Sequence, residues 1–213
     1  MNIKCFQGGF DKNFSYLMWC DKTKLAAIVD PAVEINQIIE SINENNLNLI
    51  KIFITHTHHD HIAYLEDFMY LFSNIEVLCS KKTNKHSFHP YVLSDNEIVS
   101  LGEEIIICLD TPGHYHDSMC FWNKKCNLLF TGDTMFVGRT GRTISTTSNI
   151  KQLYHSIYNI LLKLPQETII YPGHNYGYTK TISIKNNIIC SDFFTCKSFE
   201  QFVSTMDKFE SQR

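Results

Sequence analysis

Thr55-His56-Thr57-His58-His59-Asp60-His61 follows directly on the apolar run Leu49-Ile50-Lys51-Ile52-Phe53-Ile54. The run is short, isoleucine-rich and reads as a buried strand, so the seven residues after it form a tight loop at a strand end. In that loop the spacing His-x-His-x-Asp-His aims several imidazoles and a carboxylate into one small volume. These are the donors that zinc and related first-row metals prefer. The stretch predicts a metal site at the end of a strand.

Three residues further along have the same setting. His114 ends Thr111-Pro112-Gly113-His114, just after Ile105-Ile106-Ile107-Cys108-Leu109. Asp133 lies in Phe130-Thr131-Gly132-Asp133-Thr134, after Leu128-Leu129-Phe130. His174 ends Tyr171-Pro172-Gly173-His174, after Thr168-Ile169-Ile170-Tyr171. Each follows a β-prone run and has glycine beside it, the residue that lets a strand end turn sharply and aim a side chain inward. Four strand ends delivering donors to one place is the grammar of an α/β active site. The donors outnumber what one tetrahedral zinc takes, which points to two adjacent metals.

The 213 residues, 44% of them hydrophobic, suffice to bury the core of one domain. A net charge of −3 without a long run of one sign argues against a nucleic-acid surface. No apolar stretch approaches the roughly 18 residues of a membrane span, and Met1-Asn2-Ile3-Lys4-Cys5 lacks the apolar core of a secretory signal. The eight cysteines form no CxxC pair, and several fall in predicted strands. They read as reduced thiols, so the expected location is cytoplasmic, with neither membrane nor nucleic acid as partner.

Strands are predicted at 24–30, 49–54, 76–79, 104–110, 119–122, 127–130 and 168–171, with a hairpin turn at 123–126. Helical periodicity covers 34–45, 63–72, 150–164 and 198–206. Interleaved helices and hairpin strands fit a layered α/β or α+β domain.

The ordered series His-x-His-x-Asp-His, Gly-His, Gly-Asp-Thr and Pro-Gly-His resembles the metal-binding series of the metallo-β-lactamase superfamily, from roughly Cys5 to Phe202. Within it the chain is most similar to the glyoxalase II and persulfide dioxygenase branch. That likeness is carried by Thr131-Gly132-Asp133-Thr134-Met135-Phe136-Val137-Gly138, Gly141-Arg142-Thr143 and Tyr171-Pro172-Gly173-His174-Asn175-Tyr176-Gly177. The resemblance implies an αββα sandwich, a single domain over residues 1–213. His56, His58 and His114 would hold one metal, Asp60, His61 and His174 a second, and Asp133 would bridge them. Asp60 would also be catalytic. The implied cofactors are two divalent metals, zinc or else iron or manganese.

The resemblance also bears on substrate. Arg142 stands where glyoxalase II has a glutathione-contacting lysine and persulfide dioxygenases have arginine, and Tyr176 matches a glutathione-contacting tyrosine. A structural role for Arg142 within its glycine-rich loop is the competing reading. His59 and His116 are read as neighbours of ligands, His86, His89 and His155 as surface residues, and Asp117-Ser118 as support for the His114 loop. The departures are a short segment of about 178–213 in place of the glyoxalase II helical domain, Ile144 in place of a substrate tyrosine, and Asn186-Asn187-Ile188 and Ser191-Asp192 where short relatives carry other motifs. The leading reading is a dinuclear hydrolase that cleaves a thioester of the S-2-hydroxyacylglutathione type by metal-bound hydroxide. The alternative is a dioxygenase acting on glutathione persulfide with one Fe(II), and a lactonase or a non-catalytic metal-binding protein ranks lower. The partner is then a small thiol-derived molecule, and relatives are often homodimers.

Overall fold

The computed structural model describes residues 1–84 and 88–212. Strands β1 (Asn2–Gly8), β2 (Asn13–Trp19), β3 (Leu25–Val29), β4 (Asn48–Phe53), β5 (Glu76–Ser80) and β6 (Tyr91–Leu93) form one sheet in that order. A second sheet runs β14 (Ile182–Ser183), β13 (Ile169–Pro172), β10 (Leu128–Gly132), β9 (Met119–Asn123), β8 (Glu104–Asp110) and β7 (Ile98–Leu101). A small hairpin, β11 (Met135–Phe136) and β12 (Arg139–Thr140), projects after β10. The helices are α1 (Ile35–Glu44), α2 (Leu65–Leu71), α3 (Ile150–His155), α4 (Ile184–Cys190) and α5 (Phe199–Ser211).

Strand alternation sorts side chains into three layers. In β2, Tyr16 and Met18 point between the sheets, where they meet Phe121 and Phe130, while Leu17 points outward to Ile38 and Phe68 under α1 and α2. In β9, Phe121 faces the other sheet, and Cys120 and Trp122 face Leu153, Ile157 and Phe202 under α3 and α5. Helices thus cover both outer faces, giving the αββα sandwich. Strands β3 to β6 are parallel, as are β10 and β13. The C-terminal ends of β4, β8, β10 and β13 all lead into donor loops.

Three expectations need correction or extension. The predicted helix over 150–164 is α-helical only to His155, then π-helical over Ser156–Ile160 and 3-10 over Leu161–Lys163. The register changes at Ser156, whose side-chain Oγ donates to Pro112 O at 2.7 Å. The paired strands β1 and β2 add an edge that the sequence reading left out. The segment 178–212 is an integral outer layer, with Phe193, Phe194, Phe202 and Met206 buried beneath the second sheet. His86 lies outside the described residues.

Candidate metal centre

All seven predicted donors come together. His56 Nε2 lies 2.9 Å from His58 Nδ1, which lies 3.1 Å from His114 Nε2. On the other side His61 Nε2 lies 3.2 Å from His174 Nε2, and Asp60 Oδ2 lies 3.3 Å from His174 Nε2. Asp133 stands between, with Oδ1 3.2 Å from His61 Nε2 and Oδ2 3.3 Å from His174 and 3.5 Å from His114. Donors about 2.0–2.1 Å from a tetrahedral zinc sit about 3.3 Å apart, the spacing seen here. Three overlapping groups, His56/His58/His114, His56/His61/Asp133 and Asp60/His61/His174, could each hold an ion.

The outward face of the donors explains their aim. His61 Nδ1 bonds Asp30 Oδ2 at 2.8 Å, His174 Nδ1 bonds Asp11 O at 2.8 Å, and His114 Nδ1 bonds Arg142 O at 2.9 Å. A proton held on Nδ1 by these acceptors leaves the Nε2 lone pair facing inward, where a metal needs it. Asp60 Oδ2 is oriented by the Asn13 amide at 2.8 Å, and Asn13 Oδ1 in turn accepts from Asp11 N at 3.1 Å. Asp133 Oδ1 is buried and accepts no hydrogen bond, an acceptor for which a cation is the natural partner. The residues therefore fit a metal.

Two glycines make the convergence possible. Gly132 turns the chain at φ +47° next to Thr55, and a side chain at Gly173 would put its Cβ 2.4 Å from Asp133 Oδ1.

The charges divide the site. Burial, reinforced by His61, pushes His56 well below its usual range. Burial and His114 push His58 down to about 4. These rings are neutral at pH 7, with lone pairs available. Burial would also lower His61 and His174, but Asp133, with Asp30 for the first and Asp60 for the second, overrides it. His61 is held well above its usual range and His174 at about 9. Burial would raise Asp133, yet His61 and His174 hold it far below the carboxylate range. A cation entering the second group replaces protons.

Above this floor lies a cleft of about 180 Å³ whose rim includes Asp11, Phe136, Arg139, Arg142 and Tyr176. Tyr176 stacks on His174, with ring centroids 4.7 Å apart and planes 8° apart, and its hydroxyl donates to Asp11. The Arg139 guanidinium lies 4.1 Å over the Tyr176 ring. Arg142 is exposed at the rim, and its backbone carbonyl holds His114 Nδ1.

His59 is exposed and edges Phe10, and His89 and His155 are exposed. His116 contacts Tyr115 and belongs to none of the three donor groups. Ser118 supports the His114 loop as expected, through Tyr115 N at 3.2 Å. The Asp117 carboxylate instead bonds Thr57 and Thr83. The sequence reading missed Asn13, Asp30 and Arg139. Asp30-Pro31 at a strand end was the one visible hint, and Asp30 takes φ +53° there. All eight cysteines are free, and no helix among the described residues is long and apolar enough to cross a membrane.

The chain belongs to the metallo-beta-lactamase superfamily, whose family model matches residues 8–174. The probable hydroxyacylglutathione hydrolase glo2 of Schizosaccharomyces pombe is 36% identical over 174 residues, which cover 79% of this chain and 66% of that protein. This chain thus spans just under two thirds of that relative's length. The probable polyketide biosynthesis zinc-dependent hydrolase BaeB of Bacillus velezensis is 30% identical, covering 90% of this chain and 86% of that protein. The crystal structure of ETHE1 from Myxococcus xanthus superposes with a TM-score of 0.89 at 29% identity, over 98% of this chain and 91% of that one.

Proposed function

We propose that this chain is a metal-dependent thioesterase that hydrolyses S-2-hydroxyacylglutathione-type substrates. In this reading His56, His58 and His114 would hold one divalent cation and Asp60, His61 and His174 a second, with Asp133 placed to serve both. The observation that carries it is the convergence of all seven donors at ligand spacing, with Nδ1 of three histidines tied outward. Divalent cations bound there would supply Lewis acidity, making a water more acidic and favouring negative charge on the thioester carbonyl oxygen.

The chain's own groups do the rest. Asp60 is the more exposed floor carboxylate, 28% against 10% for Asp133, and can orient the attacking water while Asn13 holds its Oδ2. The leaving thiolate derives from a thiol of pKa about 8.5, so it departs without a general acid. Arg142 at the rim pairs with a substrate carboxylate, and Tyr176 packs against the thiol carrier. The hydrolase relatives at 36% and 30% identity support the reading.

A second reading, oxidation of glutathione persulfide at one Fe(II), is favoured by Arg142, the residue type of the dioxygenase branch. A two-histidine, one-carboxylate group also suits non-haem iron. Metal content of anaerobically purified protein, measured by elemental mass spectrometry, separates the two. About two ions per chain and thiol release from S-D-lactoylglutathione are expected, with thiol release and one of the two ions lost in Asp60→Ala. About one iron with oxygen uptake on glutathione persulfide overturns the hydrolase in favour of the dioxygenase.

A further inference from the structure

His56 and His58 lie on the loop after β4, and His114 lies on the loop after β8. The backbone joins these loops at their base, where Met119 N donates to Thr55 O at 2.8 Å. Nearer the donors they are joined by a side chain. Asp117, 1% exposed, accepts from Thr57 Oγ1 at 2.7 Å, Thr57 N at 3.3 Å and Thr83 Oγ1 at 2.9 Å. Thr57 is the residue between His56 and His58, so holding its N–H and hydroxyl fixes the chain on both sides.

The Asp117 end is equally fixed. Ser118 N donates to Tyr115 O at 3.4 Å, and Thr111 N donates to Ser118 O at 3.0 Å, which closes the turn that carries His114. Thr83 is tied to the end of β5 through its N–H to Ser80 O at 2.9 Å. Three elements thus meet on one carboxylate, whose two oxygens can accept all three bonds at once. Its donors are two hydroxyls and a peptide N–H, all neutral.

We propose that Asp117 is a positioning residue of the metal centre, clamping the His56/His58 loop to the His114 loop at the separation a single cation requires. The proposal rests on the reading of these histidines as ligands. Their nitrogens lie 2.9 and 3.1 Å apart, and a displacement of about 0.5 Å between loops takes a ligand out of productive geometry. The other donor group is braced separately, by Asp30 on His61 and Asn13 on Asp60. Loss of Asp117 therefore acts on one binding event and spares the other.

The test is titration of metal-free full-length protein with Zn²⁺ against a chromophoric chelator, and with Co²⁺ followed by its absorption. In Asp117→Ala one of two binding events weakens about tenfold or more, the usual loss when a ligand's support is removed, and the other stays within about twofold. Asp117→Asn keeps the shape and most of the affinity, because the threonine hydroxyls can turn to accept from its amide. Unchanged affinity for both ions in Asp117→Ala, however far the metal-free melting temperature falls, overturns the proposal, as does equal weakening of both. Should Asp117→Ala not fold, Thr57→Val removes only the hydroxyl partner. It should weaken the same event several-fold, and unchanged affinity overturns the proposal there too. No substrate enters these titrations, so a failure of the thioesterase reading on its assays stays distinct. A wild type that takes up no metal ends both ideas at once.

Discussion

The floor and the rim of the cleft are built on opposite plans. On the floor, His56, His61, Asp133 and His174 are buried, and His61 and His174 are fixed in direction by the Asp30 carboxylate and the Asp11 carbonyl. On the rim, Arg142 is exposed and Tyr176 and Arg139 are half-buried, and the β11–β12 hairpin is held from behind by the C-terminal segment. Asn187 accepts from Gly138 N at 2.7 Å and donates to Phe136 O at 2.9 Å, while Ser191 Oγ donates to Gly138 O at 2.7 Å. The floor fixes the chemistry, and the rim can change with its outer supports while the donors stay put. Superfamily members with different substrates can be related in this way.

The sharpest break in that comparison comes from the floor. Asp133→Ala should lower thioester turnover about 10³-fold or more, since it removes the carboxylate that touches both donor groups. Retained activity would show that the two groups work independently. Next comes Asp30→Ala, which strips His61 Nδ1, Thr55 N and Thr55 Oγ1 of one shared acceptor. Chelator competition should show a 10–100-fold loss of metal affinity, and chemical denaturation a loss of about 1–3 kcal/mol.

Rim changes should read in KM. Arg142→Ala removes a charge-assisted bond worth about 1.5 kcal/mol, so KM should rise about tenfold with kcat within about twofold. If kcat falls instead, the rim takes part in chemistry and the contrast between the two regions is lost. The smallest effect is one of pH. In metal-free protein His174 is raised to about 9 from 6.5, so its stabilisation is complete below pH 6.5 and lost as pH rises through about 9. The melting temperature of metal-free protein should fall across that window, and metal, which replaces the proton, should flatten the fall.

The floor was legible in the sequence because metal chemistry restricts residue type and spacing together. A histidine two residues from another, an aspartate, and glycine-flanked strand ends leave few readings. Strands with long isoleucine runs, such as Glu104–Asp110, were placed at their observed ends for the same reason of strong pattern. What stayed hidden acts through tertiary bonds that leave no local trace. Asn13 reaches Asp60 across 47 residues, and the carbonyls of Asp11 and Arg142 could belong to any residue type. Strands β1 and β2 escaped because Gly8-Gly9 and the polar residues around them blur the alternation. The helix at 150–164 looked uniform because its inward positions, Leu153, Ile157 and Leu161, keep a four-residue spacing through the change of register.

His174 Nδ1 bonds the carbonyl of Asp11 across 163 residues, and Asn13 bridges to the same histidine in the backbone. The last donor and the N-terminal loop that orients it therefore meet only after both sheets have formed and closed on each other, the slowest kind of contact for a chain to make. No half-built chain offers a complete set of ligands. A metal that binds only the finished arrangement cannot guide the search for it. It acts as a lock, lengthening the lifetime of the folded state through slower unfolding and leaving the folding rate almost unchanged.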